Sequence, residues 1–420
     1  MARASSTLTL FDLLPQNVTD NILVRLPLKE AVRTSILSKS WRYQWVTIPE
    51  LIIPSDFELF PSNELHGEEK IVSIVDHVLK LHKGHLQKFM LDITFRKSNP
   101  DLDGWILHLS TKGIKELVLE ILTENGYKMH VSIFSCQQLT VLDLASVHVE
   151  LPSEFTGFKS LKSLKLHVVT ITENDLESLI SRSIVLERLI LLEIEVQKLK
   201  INAPNLNYCF IGDGPLEELY METTRVLAFM HIFLSWNVEN VDQGKSCNLA
   251  KLLGFLPAVE KLELDNDSLK VLSVCNIPRR LPNTLERLKD LYVLVNLKSA
   301  KEIIAALCLF RNSPCLRHLR FFAYWPKDDA MLRDEDLQGL RGYFDCAFPL
   351  LETVDLKIEV LDRVAILFIK FILGTSPKLK KMTICLQEME RYGCSILNYL
   401  DQLQGVSVDA EVVLLDWDFD

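Results

Sequence analysis

The sequence predicts an α/β protein: a short N-terminal three-helix module, then an irregular repeat solenoid built on a mainly parallel, curved sheet. Three observations lead there. Residues 12–53 carry apolar side chains at helical spacing. From residue 86 onward one apolar motif recurs thirteen times. The 420 residues are 48% hydrophobic and 24% charged, with 74 leucines. That supplies a long core and excludes disorder over most of the chain.

In the N-terminal segment Val18, Ile22 and Leu26 are spaced by four, with Leu23 beside them; Leu28, Val32 and Ile36 repeat the spacing, as do Trp41 and Trp45. Each set falls on one helix face. Pro27 separates the first helix from the second, and Ser38 is placed to cap a third. Helices this short must pack on one another and on something else. Residues 54–66 read as a linker, and 67–83 as a further amphipathic helix stopped by Gly84.

The recurring motif is apolar-x-x-apolar-x-apolar. It begins at Leu86, Ile114, Leu139, Leu161, Leu186, Val196, Leu206, Leu216, Val259, Leu288, Leu316, Leu351 and Leu379. Most spacings lie between 22 and 29 residues, the period of leucine-rich repeats, each a strand plus a helix or turn. Between 186 and 216 the spacing drops to 10. No helix fits there, so those strands are expected to be joined by turns alone. Between 216 and 259 the sequence holds another strand candidate, Val226 to Leu234, followed by a polar loop, Asn237 to Asn248. In each repeat the last two apolar positions point into the stack and the residues between them point to the open, concave face. The competing reading is a globular α/β sheet with leucine-rich strands, which would need no fixed period.

Charge and composition exclude several function classes. There are 46 basic against 56 acidic residues, a net charge of −10, which does not suit a protein that blankets a phosphate backbone. Only 15 residues are glycine, against glycine-rich phosphate loops. Gly212-Asp213-Gly214 lacks the third glycine of a dinucleotide site and reads as a turn. The nine cysteines show no C-x-x-C and read as reduced, mostly buried thiols of an intracellular protein. His77, His82 and His85 splay around a helix end rather than converge on a metal. The acidic run Asp328, Asp329, Asp334, Glu335 and Asp336 reads as a solvated loop. No apolar run is long enough to span a bilayer. No constellation supports catalysis, and no cofactor is expected.

Position by position, Leu14-Pro15 … Val18 … Ile22-Leu23 … Leu26-Pro27 … Leu37-Ser38 … Trp41-Arg42 … Trp45 closely resembles a plant F-box. The remainder resembles the plant F-box family that carries leucine-rich repeats and a C-terminal FBD domain. Its FBD-like stretch runs from Phe348-Pro349 through Phe368-Ile369-Lys370 and Ser376-Pro377 to Met382 and Ile384. Relatives often carry a glutamate–leucine pair before the Phe-Ile-Lys; here it is Ile366-Leu367. The resemblance implies an F-box domain at 1–53, a leucine-rich-repeat solenoid at 54–345, and an FBD domain with C-terminal cap at 346–420. It implies that Leu14, Pro15, Val18, Ile22, Leu23, Pro27, Val32, Leu37, Ser38, Trp41 and Trp45 bind a Skp-type adaptor, which links the chain to a cullin scaffold. The chain would be the non-catalytic substrate-receptor subunit of an SCF-type ubiquitin ligase, in nucleus or cytoplasm, with no direct contact to nucleic acid or membrane. A helical cap that binds nothing is the competing reading of residues 12–53. A receptor of the same type that needs a small ligand, and a scaffold outside ubiquitin transfer, are the alternative functions.

The client would bind the repeats. Outward positions rich in aromatic residues, Tyr208, Phe210, Tyr220, Tyr292 and Phe322, make the candidate patch. The competing reading is that neighbouring rings stack across strands and only stabilise the sheet.

Overall fold

The computed structural model describes residues 13–55, 67–95, 100–233, 252–253, 256, 258–274, 281, 283–326, 331–387 and 410–416. Most of the linker, the polar loop at 237–248, Asp328, Asp329, and Cys247, Cys275 and Cys394 lie outside them. The chain forms two compact units, residues 1–186 and 187–420.

In the first unit, Pro15 and Pro27 each precede a helix, where a missing amide is no loss. Their carbonyls accept the first helical amides of α1 (Gln16–Leu23) and α2 (Leu28–Arg33). The third expected helix is a 3₁₀ segment, Trp41–Thr47, kinked at Tyr43. Ser38 does act at its start, its Oγ accepting the Trp41 amide at 3.4 Å. The chain then enters β1 (Glu50–Ile53) directly. The helix expected at 67–83 is α3 (Gly67–Leu81).

Strands β2 (Lys88–Thr94), β3 (Glu116–Leu122), β5 (Val141–Ala145) and β7 (Ser163–His167) follow, with α4 (Asp101–Thr111) between β2 and β3 and α5 (Glu173–Ser181) after β7. The sheet of this unit runs β1-β2-β3-β5-β7, every pair parallel. A short pair, β4 (Tyr127–Lys128) and β6 (Val147–His148), forms apart from it. The repeat leucines sit where the motif places them: Leu117, Leu119, Leu142, Leu144, Leu164 and Leu166 are at most 1% exposed. Each such burial is worth roughly 1.5–3 kcal/mol.

The N-terminal helices are tied to this sheet rather than free of it. The Lys83 and Gly84 amides donate to the Val46 carbonyl, and a side chain at 84 would meet the Thr47 carbonyl at 2.9 Å, which is why glycine stands there. The buried His82 ring donates from Nε2 to the Ile48 carbonyl at 2.8 Å. Burial lowers the His82 pKa below its ordinary 6.5, partly opposed by that hydrogen bond. Burial, then the charge of Lys112, lowers His108 as well. Both rings fold neutral, so this stability is complete above about pH 6.5 and lost as pH falls through the depressed folded values. The urea midpoint is therefore expected to fall between pH 7.5 and 5.5. His82→Gln, which keeps a donor for Ile48 and cannot titrate, is expected to flatten that dependence; an unchanged slope would refute it.

The second unit holds β8 (Arg188–Leu192), β9 (Lys198–Asn202), β10 (Tyr208–Gly212), β11 (Glu218–Glu222), β12 (Phe229–Phe233), β13 (Lys261–Leu264), β14 (Asp290–Asn296), β15 (His318–Tyr324), β16 (Thr353–Ile358), β17 (Lys381–Leu386) and β18 (Glu411–Asp416). Among the described residues the later strands are interleaved with α6 (Asn266–Val274), α7 (Ala300–Arg311), α8 (Asp334–Leu340) and α9 (Arg363–Thr375). All thirteen motif matches are strands, but they do not form one sheet. The order is β8-β10-β12-β13-β14-β15-β16-β17-β18, parallel throughout, while β9 and β11 pair only with each other.

The ten-residue spacing thus corrects an expectation. Consecutive strands are not neighbours. Arg188 is in register with Tyr208, twenty residues on, and Lys198 with Glu218. Each coil lays one strand on the main sheet and returns along the second, because a parallel neighbour needs a crossover and no helix fits. The buried Leu199 and Ile201 show that the return strand also turns an apolar side inward. The corners after β8, β10 and β11 are made by Glu193, Asp213 and Thr223 at φ of 50° to 56°. Gly212-Asp213-Gly214 is such a corner; a Cβ on Gly214 would lie 2.8 Å from the Ile194 carbonyl.

The FBD-like stretch continues the same alternation as β16, α9 and β17, with Val354, Leu356, Phe368, Ile369, Met382 and Ile384 all buried. Free thiols at Cys136, Cys209, Cys308 and Cys346 are buried, and burial pushes them up to about 11 or 12. Such thiols are poor nucleophiles.

Candidate functional site

Two surfaces carry the residues that the sequence singles out. The first is the helical module. On α1, Val18 and Ile22 lie one turn apart and are 37% and 38% exposed. Leu14, half-buried, lies just before the helix, and Pro15 at its start is exposed. Pro27 and Leu37 are exposed, and Val32 and Ser38 half-buried. The other three residues do something else. Leu23, Trp41 and Trp45 are at most 4% exposed and form the module's own core. Motif spacing finds the helix faces but does not tell a face turned inward from one turned outward. Gln16 fixes α1 in place, its amide donating to Asp20 and to Gln44, both at 2.8 Å.

Leu13, Val24, Ile36 and Tyr43, which the sequence reading did not place among the adaptor-binding residues, are exposed apolar side chains of the same module. Ile36 is the extreme, at 87% exposure. Its helical spacing placed it with Leu28 and Val32, but the chain tightens to 3₁₀ at Thr34–Ile36 and turns it outward. Residues 13–48 contain five basic and two acidic side chains, so this module is cationic within an anionic chain. Beside it, a groove of about 590 Å³ has an apolar floor of Leu28, Val32, Trp45, Ile74 and Val78 and a rim of Lys29, Arg33 and His77.

The second surface is the outward face of the main sheet in the second unit. Tyr208 and Phe210 stand on β10. Across the strand gap stand Phe229, His231 and Phe233 of β12, which the sequence reading left out. Leu227, Met230 and Ile232 are all buried and carry the repeat spacing, with methionine in the middle position. The rings pack from strand to strand: Tyr208 tilted against His231 at 5.2 Å, Phe210 stacked on His231 at 5.5 Å, and Phe210 edge-to-face with Phe233 at 5.3 Å. Arg188 lies over the Tyr208 ring at 3.9 Å.

The rest of the expected patch is not contiguous with these. Tyr292 and Phe322 stand on β14 and β15, three and four strands along. Tyr220, 49% exposed, is on β11 in the separate pair, beside Lys200, so it does not share the face of Tyr208. Lys198, Lys200, Asn202, Glu218 and Glu222 leave the concave face with it.

Between the aromatic cluster and Tyr292 lies Glu263, its side chain 12% exposed. His231 Nδ1 meets its Oε2 at 2.8 Å, Lys261 donates to Oε1 at 3.0 Å, and Arg320 donates to Oε1 as well. Burial pushes the Glu263 carboxyl up, but hydrogen bonds from His231, Lys261 and Arg320 overcome it and hold the group at about 2. Arg320 in turn lies over the Tyr292 ring at 5.2 Å.

A helical module with an exposed apolar stripe, followed by parallel repeats with no helix between the tightest ones, defines an F-box protein of the leucine-rich-repeat class. Residues 11–51 match the F-box domain family, and residues 102–321 match the family described as FBD-associated F-box protein At5g56370, LRR repeats. The chain belongs to the F-box/FBD/LRR-repeat family. It is 37% identical to F-box/FBD/LRR-repeat protein At1g13570 of Arabidopsis thaliana over 88% of this chain and 89% of that one. It is 24% identical to F-box/LRR-repeat protein 13 of the same plant over 99% and 98%. Among solved structures, the leucine-rich-repeat ectodomain of the Arabidopsis receptor kinase GASSHO1/SCHENGEN3 aligns with 90% of this chain and 48% of its own. Its 13% identity and TM-score of 0.28 make it too distant to bear on function.

Proposed function

We propose that the chain is the substrate-receptor subunit of an SCF-type cullin ubiquitin ligase. The N-terminal module docks on a Skp-type adaptor, and the exposed repeat face of the second unit holds a protein client. The chain positions the client and leaves ubiquitin transfer to other subunits, in nucleus or cytoplasm. In this reading the F-box domain spans 1–53, the repeats 54–345, and the FBD domain with its cap 346–420. The observation that carries it is the pair Val18–Ile22, with half-buried Leu14 just before the helix. Two apolar side chains one turn apart are left exposed on a helix that buries Thr19 and Leu23, and such a surface marks a protein interface.

Co-expression of the full chain with a Skp-type adaptor and a cullin tests this reading. A stoichiometric ternary complex on size exclusion is expected. Recovery of the chain free of both would overturn it.

A further inference from the structure

The repeats end on an open edge. Strand β18 is last in its sheet, paired with β17 alone, and among the described residues no strand lies beyond it. Its amide at Glu411 donates to the Lys380 carbonyl at 3.0 Å. In a parallel ladder each residue aims both backbone groups at one neighbour and successive residues alternate. Glu411, Val413 and Leu415 therefore face β17, and Val412, Leu414 and Asp416 aim their backbone N–H and C=O outward.

The side chains tell the same story. Val412 and Leu414 are in register with Met382 and Ile384, which are 0% and 2% exposed, yet they are only half-buried themselves. Leu415 is 47% exposed. The inner apolar layer thus continues into β18 and, among the described residues, nothing covers it there. Proteins usually blunt such an edge with lysine, proline or a bulge. Here four consecutive apolar residues, Val412 to Leu415, form it instead.

Strand β18 itself carries charge of one sign, Glu411 and Asp416 with no basic residue between them, and its basic neighbour is Lys381 of β17, in register with Glu411. Glu411 and Asp416, at the two ends of β18, are exposed. A second copy of this chain is a poor fit. Antiparallel pairing through the outward residues, Val412 of one copy opposite Leu414 of the other, would bring Glu411 of one strand next to Asp416 of the other at both ends of the seam, and like charges so close disfavour the pair.

We propose that β18 is a docking edge for an extended peptide segment with basic residues flanking an apolar centre, added to the sheet as one more strand. Main-chain hydrogen bonds to Val412, Leu414 and Asp416 supply affinity. Contact with Val412 and Leu414 closes the apolar layer, and the acidic ends of the strand select the charge of the partner. The edge is independent of the F-box and of the aromatic face on β10 and β12.

The test uses the full chain bound to its adaptor, or the chain alone, and a fluorescent peptide alternating valine and threonine with two arginines at each end. Saturable binding by anisotropy is expected, weakening with added salt. The same peptide with glutamates at its ends is expected to bind at least about tenfold more weakly. Leu414→Pro removes an outward amide and no bond to β17, a position where an edge strand tolerates proline. It is expected to abolish peptide binding without shifting the melting temperature by more than a few degrees. Should that variant unfold, Glu411→Lys combined with Asp416→Lys decides, since it is expected to transfer preference to the glutamate-ended peptide. Equal binding of the two peptides by the native chain overturns the proposal. So does binding that survives Leu414→Pro, or a preference unmoved by the charge reversal. A concentration-dependent dimer abolished by Leu414→Pro would assign the edge to a second copy and overturn it as well.

Discussion

Val18→Asp combined with Ile22→Asp is expected to abolish co-precipitation of the Skp-type adaptor while leaving the fold intact. Both side chains are more than a third exposed on the outer face of α1, one turn apart. Neither supports the core, so their replacement leaves the module packed around Leu23, Trp41 and Trp45. Apolar anchors at the centre of an interface are worth about 2 kcal/mol or more each. Losing two costs about 4 kcal/mol, roughly three orders of magnitude in affinity. Trp45→Ala provides the contrast. It is also expected to lose the adaptor, but by emptying a core position at a price of about 3–5 kcal/mol, and so with a marked fall in melting temperature. Thermal melts beside pull-downs separate the two routes. The excess of basic residues in the module further predicts that adaptor binding weakens as salt rises. Full adaptor capture by the double aspartate variant would remove α1 from the interface.

How much of this was legible in the sequence depends on what each signal measures. The repeat spacing reports which side chains are buried along each strand, and it located every motif strand, because alternation of two is a direct consequence of the pleat. It is silent on which strand lies next to which. Leu186, Val196, Leu206 and Leu216 look like four equal steps, and only the absence of a crossover segment separates alternate strands into two sheets. Tyr220 was misplaced for that reason. Leu227, Met230 and Ile232 fit the motif as well as Leu379, Met382 and Ile384 do, yet the sequence reading keeps that strand only as a candidate outside the series, and with it go Phe229, His231 and Phe233, the partners that make Tyr208 and Phe210 a cluster. In the helical module the signature fixed the helices but not their orientation. Trp41 and Trp45 are as strongly marked in sequence as Val18 and Ile22, yet they are core, while Ile36 is solvent-facing because a 3₁₀ turn rotates it away from the α-helical face. Ion networks escape sequence entirely. Glu263 and Arg320 are 57 residues apart, and nothing in either repeat announces the other.

Glu263 carries the other large expected effect. Its carboxylate is enclosed by His231 on β12, Lys261 on its own strand β13, and Arg320 on β15, which reaches across β14. Burial alone would favour the neutral acid, and the three donors reverse that, so that the folded group sits at about 2 against an ordinary 4.5. The sign follows from linkage. A carboxyl depressed on folding adds stability that is complete above its unfolded value and lost as pH falls through the folded one. The contribution is therefore whole at pH 7, erodes from about pH 4.5 and is gone near pH 2. At 1.36 kcal/mol per unit it amounts to roughly 3 kcal/mol. Glu263→Gln keeps the shape and removes the charge, and is expected to lose about 2–3 kcal/mol of that at neutral pH, measured by urea unfolding. Lys261→Met leaves the other two donors in place and is expected to cost only about 1 kcal/mol. The variant also bears on the aromatic face, since His231, held by Glu263, is the ring against which Tyr208 and Phe210 both pack. If those rings serve a client, Tyr208→Ala is expected to release the client with little change in melting temperature. If they serve only the sheet, Tyr208→Ala destabilises in the same way as Glu263→Gln, and the client stays bound. Equal urea midpoints for native and Glu263→Gln protein at pH 7 would show that the network contributes nothing to stability.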